Sequence, residues 1–200
     1  MLRGVSNIIV RDLKRQDGEV LARFETDTEG MALSSDGTLY ISLEGVHYIF
    51  RYSDPFAAAI EKLQDPAFLD FQRNSSMESL ASDANGALYT MPERSGDLNR
   101  PFPIWRHRDG VWDQKLSLTR SDGMLPVGSD FGPDGRFYVL ERKFHGLGGV
   151  SSRVRSFEVT ETALTNELIL LTTAPGTHDN LEGISIWQNE AGNIRATMVS

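Results

Sequence analysis

Residues 77–94 read MESLASDANGALYTMPER. An acidic residue leads a short, largely apolar run, Asn85-Gly86 supplies a turn, and a second run of alternating β-formers follows. Asn-Gly is a strong hairpin dipeptide, because two-residue turns place both central residues at positive φ. Three further stretches have the same grammar: TEGMALSSDGTLYISLEG (28–45), GSDFGPDGRFYVLERK (128–143) and NLEGISIWQNEAGNIRATMVS (180–200). Two of their turns are Asp36-Gly37 and Asp134-Gly135; the fourth, Asn189 to Asn193, reads as longer. The turn glycines Gly37, Gly86 and Gly135 are separated by 49 residues each time. A period of about 40–50 residues built on β-hairpins is the signature of propeller blades.

Further strand candidates lie between the hairpins: HYIFRY (47–52), PIWRHR (103–108), VWDQKLSL (111–118), RVRSFEV (153–159) and ELILLTT (167–173). Each middle repeat then supplies about four strands. The expected fold is an all-β propeller of four-stranded antiparallel blades: one domain over 1–200 with about four repeats, forming a ring or part of a larger one. Asp54-Pro55 followed by FAAAIEKL predicts a short inter-blade helix, with an acidic cap and proline at its first position. At the amino end, NIIVRDL (7–13) and EVLARFE (19–25) read as two outer strands. The last repeat stops after its inner hairpin. The ends are therefore expected to complete one blade between them, or to leave the edge of an incomplete ring.

Composition narrows the function classes. The 200 residues are 40% hydrophobic and 24% charged, enough for a packed core. There is no cysteine, which removes disulfides, thiolate metal sites and cysteine nucleophiles. A net charge of −8 argues against nucleic acid or an anionic membrane as partner and allows cations or cationic surfaces. The chain is expected to be a monomer that takes a small phosphorylated or anionic ligand. The opening MLRGVSNIIV, one short apolar patch followed by Arg11, Lys14 and Arg15, does not read as a signal peptide. GISIW (183–187) lacks the final glycine of a serine elbow, and GLGG (146–149) lacks a dinucleotide fingerprint. His47, His107, His145 and His178 share no ligand spacing, and Trp105, Trp112 and Trp187 read as packing residues.

Acids mark each hairpin. Glu29 and Glu44, and again Glu78 and Glu93, are equidistant from their turns, so they are expected opposite one another across the strand pair. Asp130 and Glu141 form a less symmetric pair, and Glu182 leads the fourth repeat. If inner strands line a channel, Glu29, Glu78, Asp130 and Glu182 converge near its axis. Two like charges at ~5 Å and an effective dielectric of ~20 repel by about 3 kcal/mol, so such a ring needs a cation, arginines or protons. Oxygen-only donors favour Ca²⁺ or Mg²⁺. The same acids could equally cap backbone N–H groups or pair with Arg94, Arg142 or Lys143. Those three, with Arg100, His145, Arg153 and Arg155, crowd the loops 92–103 and 144–152 and would suit a phosphate or carboxylate ligand.

The blocks ESLA…LYT.PERSG, DFGPDGR.YVLER.F and DN.EGI occur in order over about 28–200. They resemble the bacterial phytase-like propellers known as "esterase-like activity of phytase". Members of that family are longer, so the chain reads as a truncated one. The resemblance implies a periplasmic or secreted hydrolase of a phosphate ester, dependent on calcium. From their positions on the hairpins and loops, the expected metal donors are Glu29, Glu44, Glu78, Glu93, Asp130, Glu141 and Glu182, and the expected substrate-binding residues are Arg94, Arg142 and Lys143. A non-catalytic binding propeller and a gluconolactonase-like, metal-dependent hydrolase are the alternatives.

Overall fold

The computed structural model describes residues 8–70 and 77–200. Among them the chain forms three four-stranded antiparallel sheets and one two-stranded sheet, laid out in sequence order. The first sheet comprises β1 (Thr28–Leu33), β2 (Leu39–Leu43), β3 (Tyr48–Tyr52) and β4 (Glu61–Leu63). The second comprises β5 (Ser79–Ser82), β6 (Leu88–Met91), β7 (Phe102–Arg108) and β8 (Val111–Leu118). The third holds β9 (Leu125–Phe131), β10 (Phe137–Phe144), β11 (Val150–Val159) and β12 (Leu164–Thr172). The fourth is the pair β13 (Gly183–Gln188) and β14 (Ile194–Val199). The innermost strands β1, β5, β9 and β13 pack side by side in that order. This is the blade arrangement of a β-propeller.

All four inner hairpins turn the same way, and it is not the two-residue turn expected. Gly37, Gly86, Gly135 and Gly192 each donate to the carbonyl three residues back, at 2.8–3.0 Å, and each has φ between +77° and +85°. Three residues form each loop, with glycine in the left-handed position that widens it. Asn189–Asn193 follows this geometry and is no longer than the others. An aspartate or asparagine side chain locks each loop, as when Thr38 N donates to Asp36 Oδ1 at 2.9 Å.

Apolar clusters glue neighbouring sheets face to face. Ala32, Ile49 and Leu63 meet Leu80 and Leu88 around buried Phe68. Met91, Phe102, Ile104, Leu116 and Leu118 meet Phe137, Val139 and Phe157. Val127, Tyr138, Leu140 and Val154 meet Leu181 and Ile186. The inner strands approach so closely that a Cβ on Gly128 would lie 2.8 Å from the Glu182 carbonyl oxygen.

Two expectations about the periphery are corrected. The segment 54–63 is no helix: Asp54 closes a turn onto Phe56 and Ala57, and Glu61–Leu63 pairs with β3 as the outer strand of the first sheet. Ladder bonds and burial of Leu63 outweigh the local alanine propensity. Residues 8–25 do not complete the last blade. They lie against the first sheet, with bridges Lys14–Ala58 and Lys14–Val20 and Leu13 and Leu21 packed on Tyr48, Phe50 and Tyr52. Among the described residues β14 therefore has one partner strand, β13.

Candidate functional site

Antiparallel order places the starts of β1, β5, β9 and β13 at one end of the sheets, together with the loops 92–101, 119–124, 145–149 and 173–182. At that end a cavity of about 320 Å³ runs between the inner strands, bordered by Glu29, Glu78, Gly128, Glu182 and Ser185. Three of the four acids expected at the axis thus border one space. The fourth does not.

Asp130 pairs with Tyr138, close to the hairpin turn and away from the cavity mouth. Its Oδ2 accepts from Ile186 N at 2.6 Å and its Oδ1 from Phe131 N at 2.8 Å, so it ties β9 to β13. The reason is positional: Glu29 and Glu78 precede their turn glycines by eight residues, where the third repeat has Val127, whereas Asp130 precedes Gly135 by five. Burial pushes the Asp130 carboxyl above its ordinary value, and the backbone donors offset this only in part. Native Asp130 holds its proton to higher pH than the unfolded chain does. Its contribution to stability is therefore complete below the unfolded value and lost as pH rises through the native one. Asp130→Asn should accordingly cost more stability at pH 4 than at pH 7, read from urea midpoints. An equal cost at both pH values would contradict the shift.

The expected Glu78–Glu93 and Asp130–Glu141 pairs do not form. The register Ser79–Met91, carried one residue further, sets Glu78 opposite Pro92. A one-residue offset sends a side chain to the other face of a sheet. Glu93 is accordingly buried and bonded to Arg142 of the next blade, Nη2 to Oε1 at 3.0 Å, with Arg94 Nε 3.8 Å from its other oxygen. Arg142 Nη1 donates to Glu182 Oε1 at 2.6 Å and Asn180 Oδ1 at 2.8 Å. Burial works against the Arg142 charge, yet Glu93 and Glu182 outweigh it and hold its pKa above the ordinary value. Glu141, expected to pair with Asp130, is fully buried between Arg153 Nε at 2.8 Å and Arg155 Nη2 at 2.5 Å. The side chain of Glu44 lies outside the described residues.

Calcium can be weighed against these donors. Asp130, Glu93, Glu141 and Glu182 have oxygens bonded to backbone N–H groups, arginines or Asn180, and among the described residues no three acidic or histidine side chains form a set able to hold an ion. The donor set does not fit a preformed calcium cage.

The basic residues separate as well. Lys143 Nζ donates to the Asp122 carbonyl at 2.8 Å, while Arg94 borders an outer cavity rather than the channel. Residues not singled out from sequence are Asn180, which steadies Glu182, and Arg120 beside that outer cavity; neither sits in a motif. His145 Nε2 lies 2.8 Å from Ser151 Oγ, but Ser151 is buried and offers no exposed nucleophile.

The family described as "Phytase-like: Esterase-like activity of phytase" matches residues 2–200. The chain belongs to the Phytase-like family. No curated protein matches it. Solved structures similar to this Phytase-like chain include a catalytically inactive virginiamycin B lyase from Staphylococcus aureus with quinupristin, 15% identical at TM-score 0.51, covering 93% of this chain and 58% of that one. Myxococcus xanthus glutaminyl cyclase is 14% identical at TM-score 0.51, with 95% and 66% covered. A protein assigned as a gluconolactonase is 15% identical at TM-score 0.54, with 90% and 61% covered. These likenesses show the propeller fold, and the Phytase-like chain spans less than two thirds of each of the three.

Proposed function

We propose that this Phytase-like chain carries the site of an ester hydrolase acting on a phosphate ester at the channel mouth. The observation that carries the reading is Arg142, held between Glu93, which is buried, and Glu182, which borders the channel cavity, in a chain whose family is described by esterase-like activity. The Glu93 side chain is only 6% exposed and anchors one arm of the guanidinium fork. Glu182 is 53% exposed and can swing off the other arm. A phosphate ester taking that arm gains charge-assisted bonds to a fixed donor. Glu182, released, stands beside the phosphorus as general base: it accepts a proton from water, and the water oxygen bonds to phosphorus. The bond from phosphorus to the ester oxygen breaks, and that oxygen leaves with the bonding pair and takes a proton from solvent to become the alcohol. Arg142 balances charge on the phosphoryl oxygens. No step runs through calcium. A periplasmic or secreted setting belongs to the same proposal.

The second reading is a binding propeller without chemistry, favoured by the acids being spent on arginines rather than left to activate water. Release of p-nitrophenol from its phosphate and butyrate esters, with calcium and with chelator, separates the two. Hydrolysis of the phosphate ester in both conditions is expected. Arg142→Gln should lower kcat/KM roughly 10- to 100-fold, the loss of one charged hydrogen bond. Phosphate binding without turnover would leave the binding module. Chelator-sensitive lactone hydrolysis would instead indicate the gluconolactonase-like alternative.

A further inference from the structure

We propose that the outer cavity binds an organic anion, with its phosphate or carboxylate on Arg120 and Arg94 and its apolar body against Leu98 and Leu125. This site is separate from the channel and does not rest on the hydrolytic reading. The cavity, about 770 Å³, opens between the loops 92–101 and 119–124. Arg120 is fixed there from behind. Its guanidinium stacks 4.0 Å over the Phe102 ring, Nε donates to the Arg100 carbonyl at 2.8 Å, and Nη2 donates to Ser95 Oγ at 2.9 Å.

Those partners are neutral oxygens. Among the described residues no carboxylate forms an ion pair with Arg120, and its Nη1 makes no hydrogen bond. Burial pulls its pKa down, opposed by the field of Asp97, as expected for a cation short of a counter-charge. The cavity's other acid is already balanced: Asp122 Oδ2 accepts from Arg153 at 2.7 Å, and Lys143 rests on the Asp122 carbonyl. Among the described residues the ion pair of Arg94 is with Glu93 at 3.8 Å, and Glu93 is closer to Arg142. Two guanidinium groups thus face one unbalanced carboxylate, Asp97, within a chain of net charge −8. Leu98, 85% exposed, and Leu125 border the same space, which suits an anion with an apolar group attached. A rigid, stacked arginine loses little freedom when it binds an oxyanion.

Calorimetric titration with phenylphosphonate, which no phosphatase cleaves, tests the site, with methylphosphonate and phenol as partial ligands. In the Arg142→Gln protein, which lacks the proposed channel anion site, one site is expected, several-fold tighter for phenylphosphonate than for methylphosphonate and silent to phenol, with NMR shifts at the Gly96 and Gly123 amides. Arg120→Met keeps an apolar stem on Phe102 and should weaken binding about tenfold to a hundredfold. Leu98→Glu, a surface change that leaves the fold alone, should weaken it several-fold by repulsion. Arg120→Met and Leu98→Glu are both read in the Arg142→Gln background, so that the channel arginine takes no part in the signal. Unchanged affinity in both Arg120→Met and Leu98→Glu, or no binding at millimolar ligand in the Arg142→Gln background, would each overturn the assignment.

Discussion

Glu141→Gln should lower the unfolding free energy by about 3–5 kcal/mol, the usual cost of removing one partner from a buried ion pair. Glu141 accepts from both Arg153 and Arg155, and all three residues are at most 2% exposed. Asp122 and Glu167 remain as outer partners of the two arginines, so the loss falls short of stranding two bare cations. Burial works against the Arg153 charge, yet Glu141 and Asp122 outweigh it and hold its pKa above the ordinary value. Removing Glu141 weakens that balance and leaves Asp122 alone against the burial of Arg153. Urea unfolding with and without calcium checks the result. The same loss in both media is expected of a structural anion; a loss seen only with calcium would make Glu141 a metal ligand after all. Replacing Glu141, Arg153 and Arg155 together by apolar residues of similar volume should recover much of the stability, since the desolvation cost goes with the charges.

Phe102→Ala should cost about 3–5 kcal/mol, in the range for emptying a buried aromatic site. Phe102 is fully buried in the cluster that joins the second and third sheets, among Met91, Ile104, Leu118 and Phe137. Each neighbour belongs to a strand tied into its own ladder, so the void cannot collapse by moving a loop. For a chain of this size the loss corresponds to a melting temperature lower by roughly 6–20 °C. The ring is also the platform for Arg120, at 4.0 Å. Phenylphosphonate affinity should therefore fall in Phe102→Ala under conditions where the variant is still folded. A shift of only a degree or two would mean the sheets repack, and that the blade contact is softer than its burial implies.

The fold and the site were legible in the sequence to different degrees. The repeat, the turn glycines and most strands stand in the residue string, because period-two alternation and positive-φ glycine are local requirements that each hairpin meets alone. The loop length escaped that reading by one residue, and one residue was enough. It turned Glu93 away from Glu78 and toward Arg142, a partner 49 residues further along. The alanine-rich stretch 57–59 looked helical until β3 offered hydrogen bonds to the strand beside it. Residues 8–25 carried outer-strand patterns, yet they settled on the first sheet, where Tyr48, Phe50 and Tyr52 present an apolar face. Arg120 gave no signal in sequence, since its importance comes from Phe102 beneath it and from the absence of a paired acid. Local geometry depends on neighbours in the chain, so the sequence by itself determined the blades. Which charges neutralise one another, and which are left facing a cavity, depends on register and on the packing of one sheet against the next, and only the tertiary structure decided it.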